Sequence, residues 1–232
     1  MINHTFLFNK IIYFSENRDE FIRFIINSKN KILISLNAEL LSIKNEKFEK
    51  IVNSNIGFPD GIGAVFALRK KSFKAIRITG VELWLDIIKE NYLSKSFFLI
   101  GSTQEVIEKT VLKLNKEFPG IQIVGFHNGY FDSNEKAKIF EEIISKKPNF
   151  VFVALGAPKQ EFLMNELIAT HPALYMGLGG SFDVYCGKVQ RAPRIFQVFG
   201  LEWLYRLAKQ PTRINRQIVY IKFMLRLILN RI

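Results

Sequence analysis

Residues 149–166 read NFVFVALGAPKQEFLMNE, and the fold turns on how this stretch is divided. Five apolar residues in a row, Phe150 to Ala154, show no polar alternation, which marks a strand covered on both faces rather than one. The run closes through Leu155, Gly156, Ala157 and Pro158, and Lys159-Gln160-Glu161 then opens a helical pattern. Glu161 reads as a first-turn acid complementing the helix dipole, and Lys159 as a solvated cation. A buried strand passing through small residues straight into a helix is the joint of a parallel α/β sheet. Such joints bring backbone close to a ligand, and the first N–H groups of the helix favour a phosphate there.

The same joint recurs on either side of this stretch. Strand-like runs at residues 32–35, 97–100, 121–125 and 173–177 alternate with helix-like stretches at 104–118 and 135–146. In the first of these helices Val106, Ile107, Val111, Leu114 and Phe118 mark one face. The pattern predicts an α/β fold: a three-layer, Rossmann-like domain with a mostly parallel sheet over residues 1–193, then a basic helical C-terminal appendage over 194–232. Four strand ends, in LIGSTQE, VGFHNGYFD, ALGAPKQE and MGLGGSFD, carry small or polar residues before a helix start, with Ser102 read as a cap. Ligands of open α/β sheets settle outside the carboxyl ends of the strands, so four such loops favour a nucleotide-like ligand. The GIGAV run at 61–65 lacks the third glycine of a dinucleotide fingerprint and reads as lying away from a strand end. A phosphate-loop lysine motif is also missing, and both hydride transfer and P-loop hydrolysis lose support.

Of 232 residues, 48% are hydrophobic, enough for one sizeable core. The formal charge of +12 points to a polyanionic, phosphorylated or membrane-surface partner. The excess sits at the end of the chain: from Val184 onward ten basic residues face one acid, Glu202, so nine of the twelve net charges lie there. A single cysteine, Cys186, and three scattered histidines offer neither an internal disulfide nor metal-ligand spacing. The first fourteen residues alternate apolar and polar like a strand pair and lack the features of a signal peptide, so a cytoplasmic protein is expected.

Candidate chemistry begins at PDGIG. Asp60 follows Pro59 and precedes Gly61, where it serves either as a helix N-cap or as a general base over a ligand cleft. Ser35 and Asn37, polar and uncharged where a strand leaves the sheet, either orient a sugar or acceptor or satisfy loop backbone. Arg206, Arg213 and Arg216 flank Pro211, and three guanidiniums can bind a diphosphate without a metal or other cofactor. Residues 218–229 are apolar but too short and interrupted to span a bilayer. They suit a helix lying in an anionic membrane surface, or one packed against a second copy of the chain in a homo-oligomer. Aromatics among the tail cations also fit a nucleic-acid-binding protein, which leaves the four loops and Asp60 unexplained.

Taken in order, SLNAE, PDGIG, RITGVEL, LIGS, GYF, ALGAPKQE, GLGGSFDVYCGKVQRAP and GLEWLYRLAKQPTRINR resemble the WecG/TagA/CpsF family of bacterial glycosyltransferases, from about residue 31 to 217. The resemblance implies metal-independent, inverting transfer of a sugar from a UDP-sugar to a polyprenyl-diphosphate-linked saccharide, for a cell-surface polysaccharide or teichoic acid. It implies a protein peripherally bound to the inner face of the cell membrane, with no nucleic acid as partner. Asp60 sits where the family places its proposed base. Ser35 occupies a place usually held by threonine, and Arg206, Arg213 and Arg216 match arginines thought to close over the site. Gly101, Tyr130, Gln160, Gly179 and Asp183 are the nucleotide-side candidates, with Tyr130 packing on the base and Asp183 bonding ribose or uracil. Catalysis-free binding of a UDP-sugar is the alternative.

Overall fold

The computed structural model describes residues 1–198, 202–209 and 214–229. In chain order come β1 (Asn3–Leu7), β2 (Lys10–Phe14), α1 (Arg18–Asn27), β3 (Lys31–Leu36), α2 (Ala38–Ser42), α3 (Glu46–Asn53), β4 (Ile56–Pro59), α4 (Ile62–Lys70), α5 (Gly80–Asn91) and β5 (Ser96–Gly101). Then follow α6 (Gln104–Glu117), β6 (Gln122–His127), α7 (Ser133–Lys146), β7 (Phe150–Ala154), α8 (Lys159–Thr170), β8 (Leu174–Gly177), α9 (Ser181–Tyr185), α10 (Arg194–Val198), α11 (Glu202–Lys209) and α12 (Ile214–Ile228).

β1 and β2 pair as an antiparallel hairpin, the strand pair that alternation at the N-terminus predicts. The other six strands form a parallel sheet in the order β4-β3-β8-β7-β5-β6. Strand β7 occupies the residues expected from its apolar run, and all five of its side chains are buried. The expectation that GIGAV lies away from a strand end is corrected here. Residues 56–59 form β4, so PDGIG is itself a strand-to-helix joint, with Asp60 N–H still bonded to Leu36 O at 3.0 Å.

Two apolar cores, one on each face, make the three layers. Ile32, Ile34, Val151, Val153 and Tyr175 point into one with residues of α3, α4, α7 and α8. Leu33, Phe152, Leu174 and Met176 point into the other with residues of α1, α5, α6 and α9. Helix starts are fixed by side-chain caps: Asn17, Asn37, Asn45, Thr103 and Asp132 each accept from first-turn N–H groups. Each such cap contributes about 1 kcal/mol. The cap of α6 is Thr103, not the expected Ser102, which takes φ +57° and donates its hydroxyl to Asp183.

This layering opens the crevice. After β7 the chain turns into α8, on the first core's face, whereas after the neighbouring β8 it turns into α9, on the other. Adjacent strands whose connections part to opposite faces leave a gap at their carboxyl ends, where ligands bind in folds of this class.

Helix α12 closes over one side of that region. Phe223 and Leu227 are buried in the first core, Phe223 against Phe8 at 5.2 Å between ring centroids. Burying a phenylalanine is worth about 2 kcal/mol. Lys70 donates to the carbonyls of Leu227 and Ile228, tying a cation to the helix C-terminus. The opposite face exposes Ile218, Ile221, Leu225, Ile228 and Leu229. Among the described residues no helix is long and apolar enough to cross a membrane.

Candidate active site

At the carboxyl ends of β3, β4, β7 and β8 lies a cleft of about 520 Å³, a volume typical of small-molecule sites. Ser35, Asn37, Asp60, Gln160 and Gly179, all candidates from the sequence, line it together. They come from four different strand ends, and the parallel sheet alone brings them to one place.

Asp60 stands two residues before the start of α4. The N-cap there is Gly61, so Asp60 is not itself the capping residue and sits at the turn between β4 and α4. Its carboxylate and Ser35 occupy the same corner: a Cβ built on Gly80 would lie 3.6 Å from Asp60 Oδ2 and 3.7 Å from Ser35 Cβ. Asn37 does cap, with Oδ1 accepting from the N–H groups of Glu39 (2.9 Å) and Leu40 (3.0 Å). Its acceptor end is thus committed to the backbone, and its amino group is what it can offer a ligand.

Gln160 and Glu161 have a different role from a solvated first turn. Gln160 Oε1 accepts from the Gly179 N–H at 3.0 Å, and its Nε2 donates to Glu161 Oε1 at 2.8 Å. Gln160 therefore holds the glycine loop after β8 in shape. Glu161 is fully buried, which corrects the expectation of a solvent-facing acid. Its Oε2 has no hydrogen-bond partner among the described residues. Burial outweighs the Gln160 bond and pushes this carboxyl up to about 7, so it keeps its proton well above the ordinary carboxylate range. Gly177 leaves room for the pair, since a Cβ there would come within 2.4 Å of Gln160 Nε2.

The sequence matches the glycosyl transferase WecG/TagA/CpsF family over residues 11–232, nearly the whole chain. The protein belongs to that family. As a WecG/TagA/CpsF glycosyltransferase it acts on a sugar donor and an acceptor in cell-surface polysaccharide synthesis. The match begins earlier than the motifs that reveal it, taking in α1 and all of β2 after its first residue, Lys10. Strand β2 has a structural tie to the site: buried Lys10 donates to the carbonyls of Leu41 (3.3 Å) and Ile43 (2.7 Å), fixing the end of the helix that Asn37 caps.

The remaining nucleotide-side candidates gather on an adjoining rim, outside the cleft lining. Gly101 has a packing reason to be glycine, because a Cβ would sit 2.3 Å from Ala154 O. Tyr130, just beyond β6, is 76% exposed. Asp183 accepts from Ser102 Oγ at 3.0 Å, joining the β5 loop to α9, while its neighbour Val184 lines the cleft. Rim and cleft meet at α9. Arg213 lies outside the described residues, as do the side chains of Arg206 and Arg216, whose backbones belong to α11 and α12.

Arg77, Arg191, Glu202 and Tyr220 also line the cleft, and the sequence had given none of them a part in the site. Arg77 and Arg191 stand inside RITGVEL and KVQRAP, so they were visible as motif members. No local spacing signals that positions 77, 191 and 202 converge. Arg191 Nη2 donates to Glu82 Oε1 at 2.7 Å. Burial works against ionisation of Glu82, but this bond and the nearby arginines outweigh it and hold the carboxyl below its ordinary range.

Proposed function

We propose that this glycosyltransferase moves a sugar of N-acetylmannosamine, N-acetylmannosaminuronic acid or glucose type from a UDP-sugar to a polyprenyl-diphosphate-linked saccharide, inverting the anomeric carbon without a metal. The observation that carries the reading is the carboxylate of Asp60, placed at the end of β4 beside Ser35 in the cleft and outside the cap of α4.

In this mechanism the acceptor hydroxyl oxygen bonds to the anomeric carbon from the face opposite the nucleotide. The bond from that carbon to the diphosphate breaks, its electron pair leaves on UDP, and Asp60 takes the hydroxyl proton. Base assistance of this kind is worth about 10²- to 10⁴-fold in rate. Ser35 and the Asn37 amino group orient the reacting hydroxyl. Gln160 sets the Gly179 loop against the donor, and the rim of Gly101, Tyr130 and Asp183 receives the nucleoside. Positive charge from arginines stabilises the departing diphosphate. Arg206, Arg213 and Arg216 contribute from an appendage over 194–232 that closes the site.

The exposed apolar stripe of α12, bordered by Lys222 and Arg226, supports peripheral contact with an anionic membrane on the cytoplasmic side, where the lipid-linked acceptor resides. Screening UDP-sugars against a short-chain polyprenyl-diphosphate-linked saccharide, with free UDP as readout, tests the reading. UDP release that requires both substrates supports it. Release from none of the UDP-sugars, or release indifferent to the acceptor, refutes it.

A further inference from the structure

Glu202 opens α11 and reaches the cleft between two arginines that come from distant parts of the chain. Its Oε2 lies 3.7 Å from Arg77 Nη2, and its Oε1 lies 3.9 Å from Arg191 Nε. Each carboxylate oxygen thus faces one guanidinium, at a distance longer than a hydrogen bond. All three side chains are about four-fifths buried.

Arg191 is anchored from behind. Its Nη2 donates to Glu82 Oε1, and Arg18 lies 3.6 Å from the other oxygen of the same carboxylate. That leaves Nε toward Glu202, and Nε has no hydrogen-bond partner among the described residues. Two guanidiniums therefore face one carboxylate at the cleft wall, at separations of 3.7 and 3.9 Å. Charge-assisted bonds from arginine to an oxyanion normally close to about 2.8 Å.

We infer that Arg77 and Arg191 form a diphosphate subsite, and that Glu202 is an internal stand-in for its ligand, seated there while the cleft is empty and displaced when a diphosphate enters. The inference rests on the reading of the cleft as a sugar-diphosphate site. A carboxylate offers two acceptor oxygens and one charge, whereas a diphosphate offers more of both, so the exchange favours the ligand. Because Glu202 belongs to α11, its release couples occupation of the subsite to the position of the helix that also carries Arg206.

The diphosphate could belong to the nucleotide or to the lipid-linked acceptor, so binding is measured calorimetrically with UDP and, separately, with farnesyl diphosphate on the full chain. Glu202→Gln removes the competing charge and is expected to tighten one of the two by about tenfold, the change that two ion pairs of this exposure are worth. The probe that gains identifies the source. Adding Arg191→Gln to Glu202→Gln is expected to cancel the gain. Glu202→Gln that binds both probes no more tightly than wild type, or a gain that survives loss of Arg191, overturns the inference. Turnover of wild-type protein in the UDP-sugar screen is a separate readout, so failure here leaves the transferase reading standing.

Discussion

Glu161 gives a quantitative test of how the cleft floor is built. The side chain is fully buried, one oxygen accepts from Gln160, and the other has no partner among the described residues. Burial moves its proton affinity from the ordinary 4.5 up to about 7. Between those two values the unfolded chain carries an ionised Glu161 while the folded protein keeps the proton. Unfolding then releases a proton, and stability falls as pH rises, by about 1.4 kcal/mol per pH unit. The stabilisation present below about pH 4.5 is lost by about pH 7, a total of about 3 kcal/mol. Glu161→Gln imitates the protonated acid: its amide oxygen accepts from Gln160, and nothing ionises. Near pH 5 the variant should match wild type, and at pH 8 it should be more stable by about 3 kcal/mol, a rise in Tm of about 6 to 12 °C for a chain of this size. Thermal unfolding of both proteins across pH 5 to 8 measures this directly. Parallel pH profiles would refute the reasoning, as would a variant less stable than wild type at pH 8.

Two further outcomes follow from the cleft and from α12. Turnover with saturating UDP-sugar should be the same in excess EDTA as in magnesium, because the proposed mechanism gives the charge compensation to arginines; loss of activity in EDTA would contradict this. Anionic vesicles should bind the protein and raise turnover, and Ile221→Ser with Leu225→Ser should weaken vesicle binding at least tenfold, read by co-sedimentation, with equal binding counting against a membrane role for this face.

Much of the fold was legible because parallel strands in a three-layer sheet are apolar on both faces, and β7 shows this without ambiguity. β4 escaped because four residues ending in proline carry too little pattern to distinguish a strand from a loop. The hidden strand also concealed that PDGIG is a strand-to-helix joint. At the site, Asp60, Ser35, Asn37, Gln160 and Gly179 could be chosen from their places at chain punctuation, and the sheet brings them into one cleft. Glu161 was misread because α8 lies between the sheet and α3 and α7, so neither face follows a simple amphipathic rule. Arg77, Arg191 and Glu202 meet only through the tertiary fold. Their spacing in sequence has no helical or strand period that could have announced the contact.

The central claim is that Asp60 removes the acceptor proton. It is tested most directly by comparing Asp60→Asn with wild type, at saturating donor and acceptor, for UDP release and for UDP affinity. The account expects turnover to fall by about 10²- to 10⁴-fold while UDP binds as before. Near-normal turnover in the variant would contradict it.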